Sequence, residues 1–175
     1  MNTYKPVFRV FGIVLTILGI VLPIAGIFAH SQVSDLLSAQ RITMPEGPAL
    51  QSPEQKAALE KYAGQTLTTG PQARAFAEHY IAAHLEHMSK GKTFSEVSGE
   101  FMKLSKSDPT NPKVAELGKM RETLFMGNSL RGMLNNAYAF WTLGSVALWG
   151  GGAVLIAGLV LTGLSLRKDH SSDRA

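Results

Sequence analysis

Two long stretches of this chain, 10–34 and 132–166, contain no Asp, Glu, Lys or Arg. Within them 11–29 and 140–164 are almost unbroken apolar runs. A hydrocarbon core roughly 30 Å thick is crossed by about 20 helical residues, so the pattern predicts two transmembrane helices. Their expected bounds are 10–29 and 137–166, with short tails at 1–9 and 167–175 and a polar domain at 30–136.

The polar domain also reads as helical. After Pro23, which should bend the first span, Val33, Leu36 and Leu37 recur at helical spacing, so that helix should run on beyond its apolar part until Met44-Pro45-Glu46-Gly47-Pro48 ends it. Ser52-Pro53-Glu54-Gln55 and Thr93-Phe94-Ser95-Glu96 are capping boxes, and Gly70-Pro71 opens a further helix that lasts until Gly91. Asp108-Pro109 and Asn111-Pro112 mark a turn. From Lys113 no proline intervenes, and one long helix is expected to enter the second span despite Gly118, Gly127 and Gly132. No segment alternates as a strand does. The predicted fold is therefore an all-α membrane protein: two transmembrane helices packed as an antiparallel hairpin, with a helical external domain.

Charge sets the expected topology. The net charge of +4 would suit a nucleic-acid binder, but 30–139 holds 12 Lys/Arg against 11 Asp/Glu, a balance of +1. The remaining +3 lies in the tails, where Lys5 and Arg9 precede the first span and Arg167, Lys168 and Arg174 follow the second. The positive-inside rule then places both termini in the cytoplasm and the domain outside a plasma membrane. A cleaved signal peptide competes for the N-terminus, but the apolar run exceeds the usual length of about 7–15 residues, and Ile27 stands where cleavage after Ala29 wants a small residue. An uncleaved anchor is expected. With no cysteine in the chain, disulfides and thiol chemistry are excluded.

The most specific pattern lies inside the spans. Gly12, Gly19 and Gly26 are seven apart, as are Gly144, Gly151 and Gly158, while Ile20 and Leu148 stand off the stripes. A straight helix drifts about 20° per heptad, so each stripe holds to one face and offers a groove to another backbone. The spacing alone leaves open whether the seam joins the two spans, a second copy or another membrane protein. Trp141, Tyr138 and Phe140 suit an aromatic belt, whereas Trp149 lies deeper and needs a contact of its own.

Glu78, His79, His84, Glu86 and His87 form the one cluster with metal-binding chemistry. His79 and His84 are five apart and diverge round a helix, while His84 and His87 share a face, so Glu78, His84 and His87 are the candidate ligands and a further one would have to come from elsewhere. Phosphate loops, nucleophile elbows and zinc-helix motifs are absent from the sequence.

Arg41-Ile42-Thr43-Met44-Pro45-Glu46, the stretch from Gly70-Pro71 to His84, Gly91-Lys92-Thr93-Phe94, and Arg121 through Leu130-Arg131-Gly132 together resemble a family of small actinobacterial membrane proteins. Members often carry the label "aromatic ring-opening dioxygenase". The resemblance covers most of the chain and implies two spans around an external segment; residues 99–119 are an insertion relative to the family's pattern. Ring-opening dioxygenases are soluble and bind non-haem iron through a ligand triad that this chain does not reproduce, so no catalytic residue is carried over. The expected function is that of a non-enzymatic, cofactor-free accessory subunit, seated in the lipid bilayer, whose external domain docks on envelope or membrane-complex partners or on a second copy, and not on nucleic acid. The alternative is a metal-dependent, dioxygenase-like enzyme using His79, His84 and His87.

Overall fold

The computed structural model describes residues 4–166, so the tail residues Arg167, Lys168 and Arg174 lie outside the described part. The fold is all-helical, with two long apolar helices. In chain order come α1 (Tyr4–Ala39), a 3-10 turn (Gly47–Ala49), α2 (Pro53–Leu59) with a second 3-10 turn (Glu60–Tyr62), α3 (Gly70–Ala75), a π-helical turn (Phe76–Ile81), α4 (Ala82–Ser89), α5 (Phe94–Ser107) and α6 (Pro112–Leu166). Among the described residues no strand forms, and a lone antiparallel bridge joins Thr43 to Thr66.

Local chemistry accounts for the helix starts. Ser52, Thr69 and Thr93 each accept a hydrogen bond from the backbone three residues on, and Gln55, Gln72 and Glu96 bond back to the cap. Such reciprocal boxes satisfy donors that a helix leaves orphaned. Thr93→Ala should cost about 1 kcal/mol of stability, measurable as a lowered midpoint in thermal unfolding of the full chain. At the other end of the α3–α4 run, Lys90 adopts a left-handed conformation (φ 54°) and Gly91 follows at φ 79°, which closes the helix before the Thr93 cap.

The chain divides into two compact units, one comprising 1–32 and 140–175, the other 33–139. The second has a conventional interior in which Met44, Leu59, Leu67 and Val97 are almost fully enclosed. Leu85, Val97 and Leu124 form one cluster, flanked by Ile81, Leu117 and Met120. Of the glycines that weakened the expectation of a continuous α6, Gly127 has a packing use: Leu85 Cδ2 would stand 2.6 Å from a Cβ there, whereas on Gly118 a Cβ would make ordinary contact with the Phe101 ring at 3.4 Å. Gly132 has open space beside it, and nothing in the structure explains its presence.

The first unit is built the other way round. Among its described residues the buried positions are Gly12, Gly19, Gly26, Gly144, Gly151 and Gly158, while most of its large apolar side chains stand exposed.

Candidate functional site

The six glycines form three layers, each holding one glycine from α1 and one from α6. A Cβ on Gly12 would run into Thr162, whose backbone nitrogen lies 2.7 Å away, and one on Gly158 would stand 2.5 Å from the nitrogen of Thr16. In the middle layer Gly19 meets the backbone of Leu155, and Gly151 meets the Pro23 ring, with Cγ at 2.8 Å. In the third, Gly26 lies against Leu148 (nitrogen at 2.9 Å) and Gly144 against the His30 ring (Cδ2 at 2.8 Å). Every filler sits four positions after the glycine of its own helix: Thr16, Pro23 and His30 on α1, and Leu148, Leu155 and Thr162 on α6. Each glycine is thus a hole for the residue that follows the opposite glycine by one helical turn.

This arrangement corrects one expectation. Leu148 is not off the seam, because a residue four after Gly144 shares its face and fills the space over Gly26. It also explains how Pro23 persists inside α1: the ring that removes a backbone donor occupies a space only a glycine can offer. The polar fillers are satisfied. Thr16 Oγ1 donates to the Gly12 carbonyl at 2.7 Å and Thr162 Oγ1 to the Gly158 carbonyl at 2.9 Å. His30 stacks on Trp141, with ring centroids 4.1 Å apart and planes 11° apart, and its Nε2 lies 2.9 Å from the Trp141 carbonyl oxygen and 3.0 Å from Ser145 Oγ. The carbonyl can only accept, so Nε2 carries the proton in that bond.

A second polar group forms in the 33–139 unit around the π-helical turn. The turn exposes Ala77 and His79 carbonyls to side chains from other helices: Arg131 Nε donates to the Ala77 oxygen at 3.2 Å, and Gln55 Nε2 to that of His79 at 3.1 Å. Glu78 receives Arg131 Nη2 at 2.8 Å and Asn135 Nδ2 at 2.6 Å. The Asn135 hydrogen bond foremost, with the Arg131 hydrogen bond and charge behind it and against some desolvation, holds the Glu78 carboxyl below its ordinary range. Arg74 belongs to the same face, its guanidinium 4.8 Å over the Tyr138 ring with Nη1 on the phenol oxygen at 3.0 Å. Asn128, Arg131, Asn135 and Tyr138 recur every three or four residues along α6: Arg131 and Asn135 hold the turn, Asn128 accepts from Arg131 Nη1 at 3.3 Å, and Tyr138 meets Arg74 on α3.

The histidine cluster is dispersed by the same geometry. Glu78 is engaged by Arg131 and Asn135, and His79 faces Glu54 at 3.7 Å. His84 Nδ1 bonds the Tyr80 carbonyl at 2.9 Å and its ring tilts against Tyr80, while His87 shares with it an open pocket of about 290 Å³ walled by Gln51, Ser52, Gln55 and Ala83. Among the described residues no three His, Asp or Glu side chains are grouped as a metal ion would need. The candidate ligands Glu78, His84 and His87 are not brought together, because the π-helical turn directs Glu78 to α6 while the two imidazoles remain at the α2 side.

Comparison with family models, curated proteins and solved structures finds no match to this chain.

Sequence reasoning overlooked His30, Arg131 and Asn135. For His30 a signal was present, since it stands four after Gly26 just as Thr162 stands four after Gly158. For Arg131 and Asn135 no local pattern would have served, because their partner lies more than fifty positions away and is presented by a π-turn.

Proposed function

We propose that this chain is a membrane-anchored accessory protein. Its two long helices cross a bilayer as an antiparallel hairpin closed by the glycine layers, and its 33–139 unit faces outward to dock on a partner. The observation that carries the membrane reading is the inverted burial of the first unit. Only 17% of the most apolar window of α1 and 11% of that of α6 is buried, and Ile17, Ile24, Phe28, Val146 and Trp149 point away from the protein. A helix in the core of a soluble protein would bury those side chains; against lipid tails they lose nothing by exposure. With hydrophobic association removed, close backbone packing at small residues is what remains to join two spans, and the six buried glycines supply it.

The hairpin reading also draws on the order of the contacts. Residues early in α1 meet residues late in α6, from Gly12 with Thr162 through Gly19 with Leu155 to Gly26 with Leu148. Lys5 and Arg9 before the first span support a cytoplasmic N-terminus, and an even number of crossings returns the chain to the same side. The docking role rests on the outer unit's exposed Phe125, Met126 and Met133, residue types enriched at protein interfaces. The sequence resemblance to two-span actinobacterial proteins is consistent with this topology.

Two measurements test the proposal. A reporter that works only in the cytoplasm should be active when fused after Ala175 and silent when inserted at Gly64, and a secreted-type reporter should do the opposite. Both reporters giving the same sidedness at the two positions would overturn the topology. Co-purification from native membranes should return a partner that is lost on changing Phe125 and Met133 together to serine. Retention of every co-purified protein by that double variant would remove the grounds for placing the docking surface there.

A further inference from the structure

Between α5 and α6 lies an open groove of about 420 Å³, lined by Phe94, Gly118, Arg121, Glu122 and Phe125. Its size falls within the range typical of small-molecule sites, about 300–1,000 Å³. Two of the lining residues are aromatic, Phe94 and Phe125, which tilt against each other with ring centroids 6.0 Å apart, and the Arg121 guanidinium lies over the ring of Phe101, 5.1 Å from its centroid. Gly118 lines the groove without a side chain of its own, and a Cβ there would stand 3.4 Å from the Phe101 ring.

Arg121 is the informative residue. It is half-buried, and among the described residues its guanidinium has no carboxylate and no hydrogen-bond acceptor; its partner is the Phe101 ring. Arg131 and Lys92, by contrast, both hold carboxylates. A guanidinium presents five donors in a planar fork suited to a carboxylate, and lying on an aromatic face it is partly stripped of water. The neighbouring Glu122, exposed at the rim, does not pair with it.

We infer that this groove binds a small monoanionic amphiphile, a ligand with an apolar body laid on Phe94 and Phe125 and a single carboxylate on Arg121. Glu122 opposes that carboxylate, so the two neighbours act on affinity in opposite directions. This inference goes beyond the proposed accessory role and does not depend on which way the chain is inserted.

The test uses the full chain in lipid nanodiscs, with empty nanodiscs subtracting partition into lipid, and octanoate as the soluble probe followed by NMR of its labelled carboxyl carbon. Octanoate should bind saturably, and octanol and octylammonium at least tenfold more weakly, as loss of a charge-assisted contact implies. Arg121→Gln should weaken octanoate about tenfold, Arg121→Lys less, and Glu122→Gln should tighten it severalfold. Gly118→Leu should abolish binding, and Gly118→Ala, whose Cβ would make only ordinary contact with the Phe101 ring at 3.4 Å, should melt no lower than the parent because alanine is a better helix former than glycine. The inference is overturned if octanoate does not saturate, if octanol or octylammonium binds as well, if Arg121→Gln or Gly118→Leu changes nothing, or if Glu122→Gln weakens octanoate binding.

Discussion

Gly151→Leu is expected to separate the two apolar helices. The measurement is bridging of Thr16→Cys to Thr162→Cys by a short bifunctional thiol reagent, in a chain that has no other cysteine. Both threonines belong to the layer next to that of Gly151, so the parent pair should link within one chain at high yield, and the Gly151→Leu chain should not. The physical reason is backbone proximity. A Cβ on Gly151 would overlap the Pro23 ring and stand 2.8 Å from Leu22 Cβ, atoms that cannot swing aside as the end of a flexible side chain can. Overpacking of this kind costs about 1–3 kcal/mol where neighbours can adjust and more where they cannot, so the upper end applies. Gly150 and Gly152 flank Gly151 with nothing within 4 Å, and leucine at either should leave the linking yield unchanged. Equal loss from Gly150→Leu and Gly151→Leu would mean that the glycines act through helix propensity and not through contact. Links formed only between chains would show that the seam joins two molecules.

The second large effect is expected at Arg131. Replacing it by leucine removes the bonds to Glu78 and to the Ala77 carbonyl together and leaves the carboxylate with Asn135 alone. The side chains of Arg131 and Glu78 are 28% and 36% exposed, which puts the pair between a surface ion pair, worth up to about 1 kcal/mol, and a buried one, whose breaking costs about 3–5 kcal/mol. A loss of about 2 kcal/mol is expected for Arg131→Leu, and less for Glu78→Gln, which keeps a hydrogen-bonding group in place. The same cluster should make stability depend on pH. The folded carboxyl of Glu78 titrates below its unfolded value of about 4.3, so its contribution is complete above that value and fades as the pH falls through the lower, folded one. Thermal unfolding between neutral and strongly acidic pH should show a steeper acid loss in the parent than in Glu78→Gln. Parallel curves for the two would mean that the carboxylate does not contribute through its charge.

Helix starts were legible in the sequence because they are local events. Ser52 with Gln55 and Thr93 with Glu96 lie three residues apart and need nothing else in the molecule, and the structure forms both boxes. The box at Thr69 with Gln72 was hidden behind the more conspicuous Gly70-Pro71, which it precedes and opens. The continuity of α6 was also readable from the absence of proline after Pro112, and at Gly127 the glycine makes room for Leu85. The π-helical turn was not readable. Residues Phe76–Ile81 carry an ordinary helical pattern, and the widened turn is gripped by Arg131 and Gln55 from elsewhere in the chain.

By itself, then, the sequence determined the all-helical class, the two apolar helices long enough to cross a membrane, the capped starts between them and the seven-residue spacing of six glycines. All of these depend on residue type and on separations of a few positions, where propensity, capping and hydrophobic length act. Tertiary structure alone decided what fills each glycine, how Glu78 is engaged and why its neighbouring histidines do not converge on it. Those outcomes depend on which residues from distant parts of the chain meet. Thr16 needs Gly158 and Glu78 needs Arg131 and Asn135, and a separation of fifty or more residues leaves no periodic trace in sequence.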